Sequence, residues 1–190
     1  MLPWSHTGAI FCGGKSRRMN RPKAGIVLPS GMTMIEHVYK ALKIVCRQVV
    51  LVGHCEGAPD SLKHLKRIDD NYHDQGPMGG LEALLSSGLD TEYLVSPCDV
   101  VKITPKVFAL LTSPGISPPA VIRYKDQMEP LIGLYPTTLL PLVRGHIREG
   151  TLAVHELVLR SKAQFVDVPD EFGEALRNVN TADDMDSLSL

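Results

Sequence analysis

The sequence predicts an α/β fold, a single domain over residues 1–190 built on an open, mostly parallel sheet. The 190 residues suffice for one compact core and are few for two. Short apolar runs alternate with helical patterns through the first half of the chain, and this alternation is typical of right-handed βαβ units. The run 48–52 is apolar at every position after Gln48, as expected for a strand that is covered on both faces.

The individual helices and strands are predicted from the spacing of apolar residues and from the turn and cap residues between them. Between Thr33 and Arg47, apolar residues recur at the i, i+3, i+4, i+7 positions of one helical face. Further helices are predicted at 61–65, near Gly79-Gly80, after Thr104-Pro105, from about Thr137 and from Thr151. Strands are predicted at 8–12, 48–52, 66–69, 93–96, 118–123, 130–135 and 164–168, with a hairpin turn at 125–127.

Composition and charge exclude several classes of protein. Hydrophobic residues make up 44% and charged residues 22% of the chain, and the formal net charge is -1. No overall positive field would attract nucleic acid or an anionic membrane, and no apolar run approaches the ~20 residues that span a bilayer. The four cysteines include no Cys-x-x-Cys pair, and we expect reduced thiols. With no signal peptide visible, a soluble, cytoplasmic protein is expected.

The segment 12–23 follows the first predicted strand and combines glycine with positive charge. Gly13 and Gly14 would let the backbone turn sharply and present its N–H groups. Five cations come within the next ten residues: Lys15, Arg17, Arg18, Arg21 and Lys23. Neither a Walker loop nor a Gly-x-Gly-x-x-Gly fingerprint fits. Spacing alone leaves two interpretations, a triphosphate-binding loop and a solvated basic loop.

Two acidic residues end predicted strands. Asp99 follows the strand at 93–96, where a carboxylate could hold Mg²⁺ together with phosphate oxygens, although it could also cap a helix or begin a turn. Asp70 ends the strand candidate at 66–69, and its neighbour Asp69 is the obvious rival for a ligand contact. The sequence Asp69-Asp70-Asn71 is equally compatible with a solvated turn.

Four motifs, in this order, carry a resemblance to a known family. They are Gly-Gly-x-Ser-x-Arg-Met with a following Lys at 13–23, Gly-Pro-Met-Gly-Gly-Leu at 76–81, Pro-Cys-Asp at 97–99 and Asn-Val-Asn-Thr at 178–181. Together they resemble the nucleotidylyltransferases, and within them the molybdenum cofactor guanylyltransferase family. The resemblance runs from Gly8 to about Met185, with Phe11-Cys12 where the family commonly has Leu-Ala. It implies a Rossmann-like sheet with helices on both faces, similar to the nucleotide-diphospho-sugar transferases.

The resemblance also implies roles for individual residues. Arg18, Lys23 and Asp99 would be catalytic, Asp99 would bind Mg²⁺, and Asn178 and Asn180 would lie on the acceptor side. Nucleotide contacts would come from Phe11, Cys12, Gly13, Gly14, Lys23, Gly53, Asp70 and Asp99.

The implied reaction transfers GMP from GTP to molybdopterin and releases pyrophosphate. A molybdoenzyme or a cofactor-insertion protein would be the protein partner. Three alternatives stay open: a molybdopterin cytidylyltransferase, a sugar-phosphate nucleotidylyltransferase, and a nucleotide-binding module without turnover. Pyrophosphate release with each nucleoside triphosphate and acceptor would separate them.

Overall fold

The computed structural model describes residues 5–12, 22–179 and Asp184. The strands are β1 (Thr7–Phe11), β2 (Gln48–Val52), β3 (Arg67–Ile68), β4 (Glu92–Pro97), β5 (Ala120–Tyr124), β6 (Gln127–Pro136) and β7 (Gln164–Asp167). The α-helices are α1 (Met34–Val45), α2 (Gly76–Ser86), α3 (Pro105–Leu111), α4 (Leu140–Glu149) and α5 (Val154–Arg160). Short 3-10 helices occupy Lys23–Gly25, Asp60–Leu62, Thr137–Leu139 and Asp170–Leu176.

The seven strands form one sheet in the order β3-β2-β1-β4-β6-β5-β7. β1 pairs in parallel with β2 and β4, and β2 pairs in parallel with β3. β6 runs antiparallel to β4 and β5, while β7 is parallel to β5. From β1 the chain proceeds outward to β2 and β3, then returns to the other side of β1 at β4. The predicted mostly parallel α/β sheet is confirmed, and its order reverses between β1 and β4, where open sheets of this type bind ligands.

The hydrophobic core lies on both faces of this sheet. Successive residues of a strand point to opposite faces, so Ile10 packs with α1 and α3 while Ala9 and Phe11 pack with α2, α4 and α5. The prediction of helices on both faces is therefore confirmed. Among the described residues, none of the helices combines the length and apolarity that crossing a bilayer requires.

The start of α2 differs from the prediction. The helix begins at Gly76 with Pro77 in its first turn, whereas the sequence predicts a start near Gly79-Gly80. Proline is accepted in a first helical turn because its missing N–H would have no partner there. A Cβ on Gly80 would lie 3.0 Å from the Phe11 ring, so glycine lets α2 pack closely on β1.

The expectation of four reduced thiols is wrong for one pair. Cys12 and Cys55 form a disulfide, with 5.0 Å between their Cα atoms. They follow the neighbouring parallel strands β1 and β2, so the sheet brings together two residues that are separated by 43 positions. Cys46 and Cys98 are free and buried, and burial raises the pKa of each thiol to about 12.

Candidate functional site

The candidate site lies at the carboxyl ends of β1, β2 and β4. Hydrogen bonds extend the strand pairing here, from Cys12 N to Val52 O at 3.0 Å and from Cys98 N to Phe11 O at 3.1 Å. The Phe11 side chain is buried in the core, so only the backbone of Phe11 can face a ligand. The predictions for Gly13, Gly14 and Arg18 concern residues that lie outside the described part of the chain.

Lys23 and Asp99 are in direct contact at this edge of the sheet, which we call the cleft. The Lys23 Nζ donates a hydrogen bond to Asp99 Oδ2 at 2.8 Å, and the side chains are only 20% and 17% exposed. Asp99 is not the cap of the next helix, because Thr104 occupies the N-cap position of α3. The structure therefore joins the end of the basic segment to the end of β4, as expected for two halves of one site.

A close backbone contact positions Lys23. Its 3-10 helix ends at Gly25, and a Cβ at Gly25 would fall inside the van der Waals contact distance of the Gly57 carbonyl oxygen. Gly57 belongs to the connection after β2, the same connection that holds Cys55. The segment 53–57 therefore supports both Lys23, through the Gly25–Gly57 contact, and Cys12, through the bond to Cys55.

Gly25→Ala is expected to destabilise the protein by about 1–3 kcal/mol, because the added methyl group overlaps backbone atoms that cannot rotate away. Urea unfolding measures the effect. Gly145→Ala is the control: this position in α4 has no neighbour within 4 Å, and alanine should stabilise the helix by about 0.5–1 kcal/mol. If Gly25→Ala and Gly145→Ala were equally stable, the close contact between Gly25 and Gly57 would be contradicted.

Breaking the Cys12–Cys55 disulfide is expected to weaken the same support. Because the bond restricts the unfolded chain, Cys55→Ser should lower the free energy of unfolding of the oxidised protein by about 2–4 kcal/mol. Urea unfolding of wild type and variant, each with and without dithiothreitol, measures this difference. The reductant should destabilise the wild type and leave Cys55→Ser unchanged. A wild type that is insensitive to reductant would show that the bond does not contribute to stability.

Asp70 rather than Asp69 points inward. Asp69 is exposed, whereas Asp70 is half-buried and its Oδ1 has no hydrogen-bond partner. Burial raises the pKa of the Asp70 carboxyl, and the neighbouring charge of Asp69 raises it further. Leaving a buried acceptor without a donor is costly. A ligand that donates a hydrogen bond to Asp70 Oδ1 would remove this cost. Gly53, between β2 and this edge, has a left-handed backbone (φ 80°) and donates its N–H to Ile68 O at 2.9 Å.

The C-terminal segment reaches the same cleft. Val179 N donates to Asp99 O at 2.9 Å, which places Asn178 beside the β4 end. Asn178 Oδ1 is buried and has no hydrogen-bond partner. The structure thus places Asn178 beside Asp99, while Asn180 lies outside the described residues.

Glu129 is a further candidate site residue, and it was not predicted from the sequence. β6 pairs antiparallel with β4 from Glu92↔Pro136 to Val95↔Gly133, so the residues of β6 before Gly133, Glu129 among them, lie towards the Asp99 end of β4. Burial raises the pKa of the Glu129 carboxyl, and the charge of Asp99 raises it further. Only the antiparallel pairing of β6 with β4 relates Glu129 to Asp99, and local spacing in the sequence does not show that pairing.

The family follows from a match over most of the chain. Residues 8–163 match the family model of the MobA-like NTP transferase domain. The chain belongs to this family. A relative from Flavobacterium johnsoniae, named probable molybdenum cofactor guanylyltransferase, is 29% identical, and the match covers 97% of this chain and 96% of the relative. The molybdenum cofactor guanylyltransferase of Pseudomonas fluorescens is 26% identical, over 90% and 88% of the two chains.

Solved structures share the fold of this MobA-like chain. The molybdopterin-guanine dinucleotide biosynthesis protein A of Archaeoglobus fulgidus superposes with a TM-score of 0.74 at 22% identity, covering 95% of each chain. A protein from Aquifex aeolicus superposes with a TM-score of 0.77, also at 22% identity, covering 95% of this chain and 96% of the other.

The donor set fits a metal that is held largely by substrate. Within 5–12, 22–179 and Asp184, no three His, Cys, Asp or Glu side chains converge as a metal cluster. Magnesium is commonly bound by one or two carboxylates, water and substrate phosphates rather than by a complete protein cage. Asp99 could supply one such carboxylate, and Asn178 lies beside it because Val179 N donates to Asp99 O.

Proposed function

We propose that this chain transfers GMP from GTP to molybdopterin and releases pyrophosphate. The observation that carries the proposal is the Lys23–Asp99 contact at 2.8 Å, located where the sheet order reverses and where the glycine loop begins. An ammonium group and a carboxylate held together at this point suit a triphosphate and its cation. The names of the MobA-like relatives support the choice of substrates.

The phosphate half of the site would be formed by Lys23, Asp99 and the loop residues Gly13, Gly14 and Arg18. Asp99 would hold Mg²⁺, which when bound neutralises negative charge on the phosphate oxygens. Lys23 and Arg18 would stabilise charge on the leaving pyrophosphate, and the backbone N–H groups of the glycine pair would orient the chain of phosphates. The backbone of Cys12 would support this loop at its start.

Asp70 supports guanine as the base. The Watson–Crick edge of guanine offers two donors, N1–H and the N2 amine, and a carboxylate can accept from both. Cytosine offers only its N4 amine there, and adenine only its N6 amine. The buried Asp70 Oδ1 without a partner lies beyond β2 on the side away from Asp99, and Gly53 between them would leave room for the nucleoside.

The acceptor would enter from the β6 side of the cleft. Asn178, Asn180 and Glu129 would contact it, because Val179 donates a hydrogen bond to the Asp99 backbone and the charge of Asp99 raises the pKa of the Glu129 carboxyl. The attacking group is a phosphate that is already ionised, so the residues have to align it and no general base is required. We place the reaction in the cytoplasm, with a molybdoenzyme or a cofactor-insertion protein receiving the product.

The test measures pyrophosphate release from GTP, CTP, ATP and UTP with Mg²⁺, each with molybdopterin or a sugar 1-phosphate as acceptor. Release only from GTP with molybdopterin supports the proposal. Preference for CTP indicates the cytidylyltransferase, and turnover with a sugar phosphate indicates a sugar nucleotidylyltransferase. GTP binding without release under every condition would identify a binding module, and each of these three results would overturn the proposal.

A further inference from the structure

A cavity of about 780 Å³ lies against the first half of β2, at the opposite end of the strand from the nucleotide cleft. Its walls are the C-terminal half of α1, the beginning of β2 and the segment that leads into β3. β2 advances about 3.3 Å per residue, so the cavity beside Gln48–Val50 is roughly 10–15 Å from the Cys12 and Gly53 end. A ligand could occupy it without entering the cleft.

The lining of this cavity is strongly basic. It includes Lys43, Arg47, Lys66 and His64, and no Asp or Glu, although the chain has 21 acidic residues. Arg47 is partly neutralised by Asp90, at 3.1 Å from its Nη2. In the part of the chain that the structure describes, neither Lys43 nor Lys66 forms an ion pair with a carboxylate. The two ammonium groups therefore leave positive charge that an anion would neutralise.

Rings and an open strand edge complete the lining. The Tyr39 and His64 rings meet edge to face with centroids 6.4 Å apart, and Lys43 Nζ lies 5.7 Å from the Tyr39 centroid. Leu51 N and Gly53 N donate towards β3, to Lys66 O and Ile68 O. The backbone polar groups of successive residues point to opposite sides of a strand. Those of Val49 therefore point to the same side as Leu51 N and Gly53 N, at a position that lies before β3 begins. The cavity thus offers cations, an aromatic surface and backbone polar groups together.

We propose that this cavity binds a small, phosphate-bearing organic anion. Lys43 and Lys66 would bind the phosphate, for which the ammonium group acts as a compact point charge, and the Tyr39 and His64 rings would contact the organic part. The volume lies in the range of pockets that hold small organic ligands and is too large for a lone phosphate ion. The inference does not depend on the reaction proposed for the cleft.

The test follows the backbone amides of the full chain by NMR during titration with GMP, pyrophosphate or orthophosphate at constant ionic strength. GMP should shift the amide signals of Val49, Val50 and Leu65, separately from any shifts at Asp70 and Asp99. In Lys43→Gln/Lys66→Gln, the affinity measured at the first three amides should fall about tenfold or more, because two charge-assisted contacts are lost. Lys40→Gln is the control, since Lys40 is an exposed neighbour on α1 that does not line the cavity.

Three results would overturn the proposal. No shift at Val49, Val50 or Leu65 with any of the three probes would exclude the site. If Lys40→Gln lost as much affinity for GMP as the double variant, the binding would be a general effect of positive charge and not a property of this cavity. Equal affinity for orthophosphate and GMP would exclude a role for the rings. Thermal unfolding of both variants checks that the fold is retained, and loss confined to the double variant supports the site.

Discussion

Asp99→Asn is expected to lower kcat for pyrophosphate release about 10²–10³-fold, the effect typical of removing one group that stabilises charge in the transition state. Asparagine has the size of aspartate but no charge, so it would hold Mg²⁺ poorly. It would also remove the charged acceptor that Asp99 offers to the Lys23 ammonium. The measurement is kcat with saturating GTP and molybdopterin over a series of Mg²⁺ concentrations.

The matched control for this variant is Asp126→Asn. Asp126 is exposed in the turn between β5 and β6, and its replacement should leave kcat unchanged. Circular dichroism and urea unfolding of both variants test whether the fold is retained. Wild-type turnover in a folded Asp99→Asn protein would contradict the assignment of Asp99 to the metal and the phosphates.

Asp70→Asn is expected to lower kcat/KM for GTP about 10–100-fold, corresponding to about 1–3 kcal/mol for one base-recognising contact pair. The asparagine amide has a single, uncharged acceptor oxygen. It therefore cannot accept hydrogen bonds from both N–H groups of guanine as the carboxylate would. ITP, which lacks the N2 amine, should be a poor substrate for the wild type. The ratio of GTP to ITP activity should shrink towards one in the variant.

Asp69→Asn provides the control for base recognition, because Asp69 is the exposed neighbour of Asp70. It should retain the wild-type preference for GTP over ITP. If Asp69→Asn loses that preference and Asp70→Asn keeps it, the two aspartates have been assigned in the wrong order. If neither loses it, the base is recognised by other residues.

Local pattern was sufficient to locate the strand ends that carry the site. β2 coincides with its prediction, and the strand that ends before Asp99 was found because a buried strand leaves a continuous apolar run. The alternation of strands and helices also predicted a mostly parallel sheet, which is confirmed. Parallel strands place their carboxyl ends at one edge, and the position of Asp99 near the basic segment follows from that rule.

Contacts between distant residues were beyond the reach of local pattern. Lys23 and Asp99 are 76 positions apart, and their contact depends on the return of the chain from β3 to β4 beside β1. The choice of Asp70 over Asp69 depends on which side chain the end of β3 turns inward. Glu129 was overlooked for the same reason, since only the pairing of β6 with β4 directs attention to it.

By itself, the sequence determined the order of the elements, the mostly parallel sheet, the glycine-rich basic segment and the acidic strand ends. These features arise from side-chain periodicity and backbone preferences within a few residues. Only the tertiary structure decided the Cys12–Cys55 bond, the Gly25–Gly57 contact and the start of α2 at Gly76. The first two join segments that meet through the sheet, and the last allows a glycine of α2 to pack against Phe11. Their physical cause is close packing between elements, which depends on how the chain crosses the sheet.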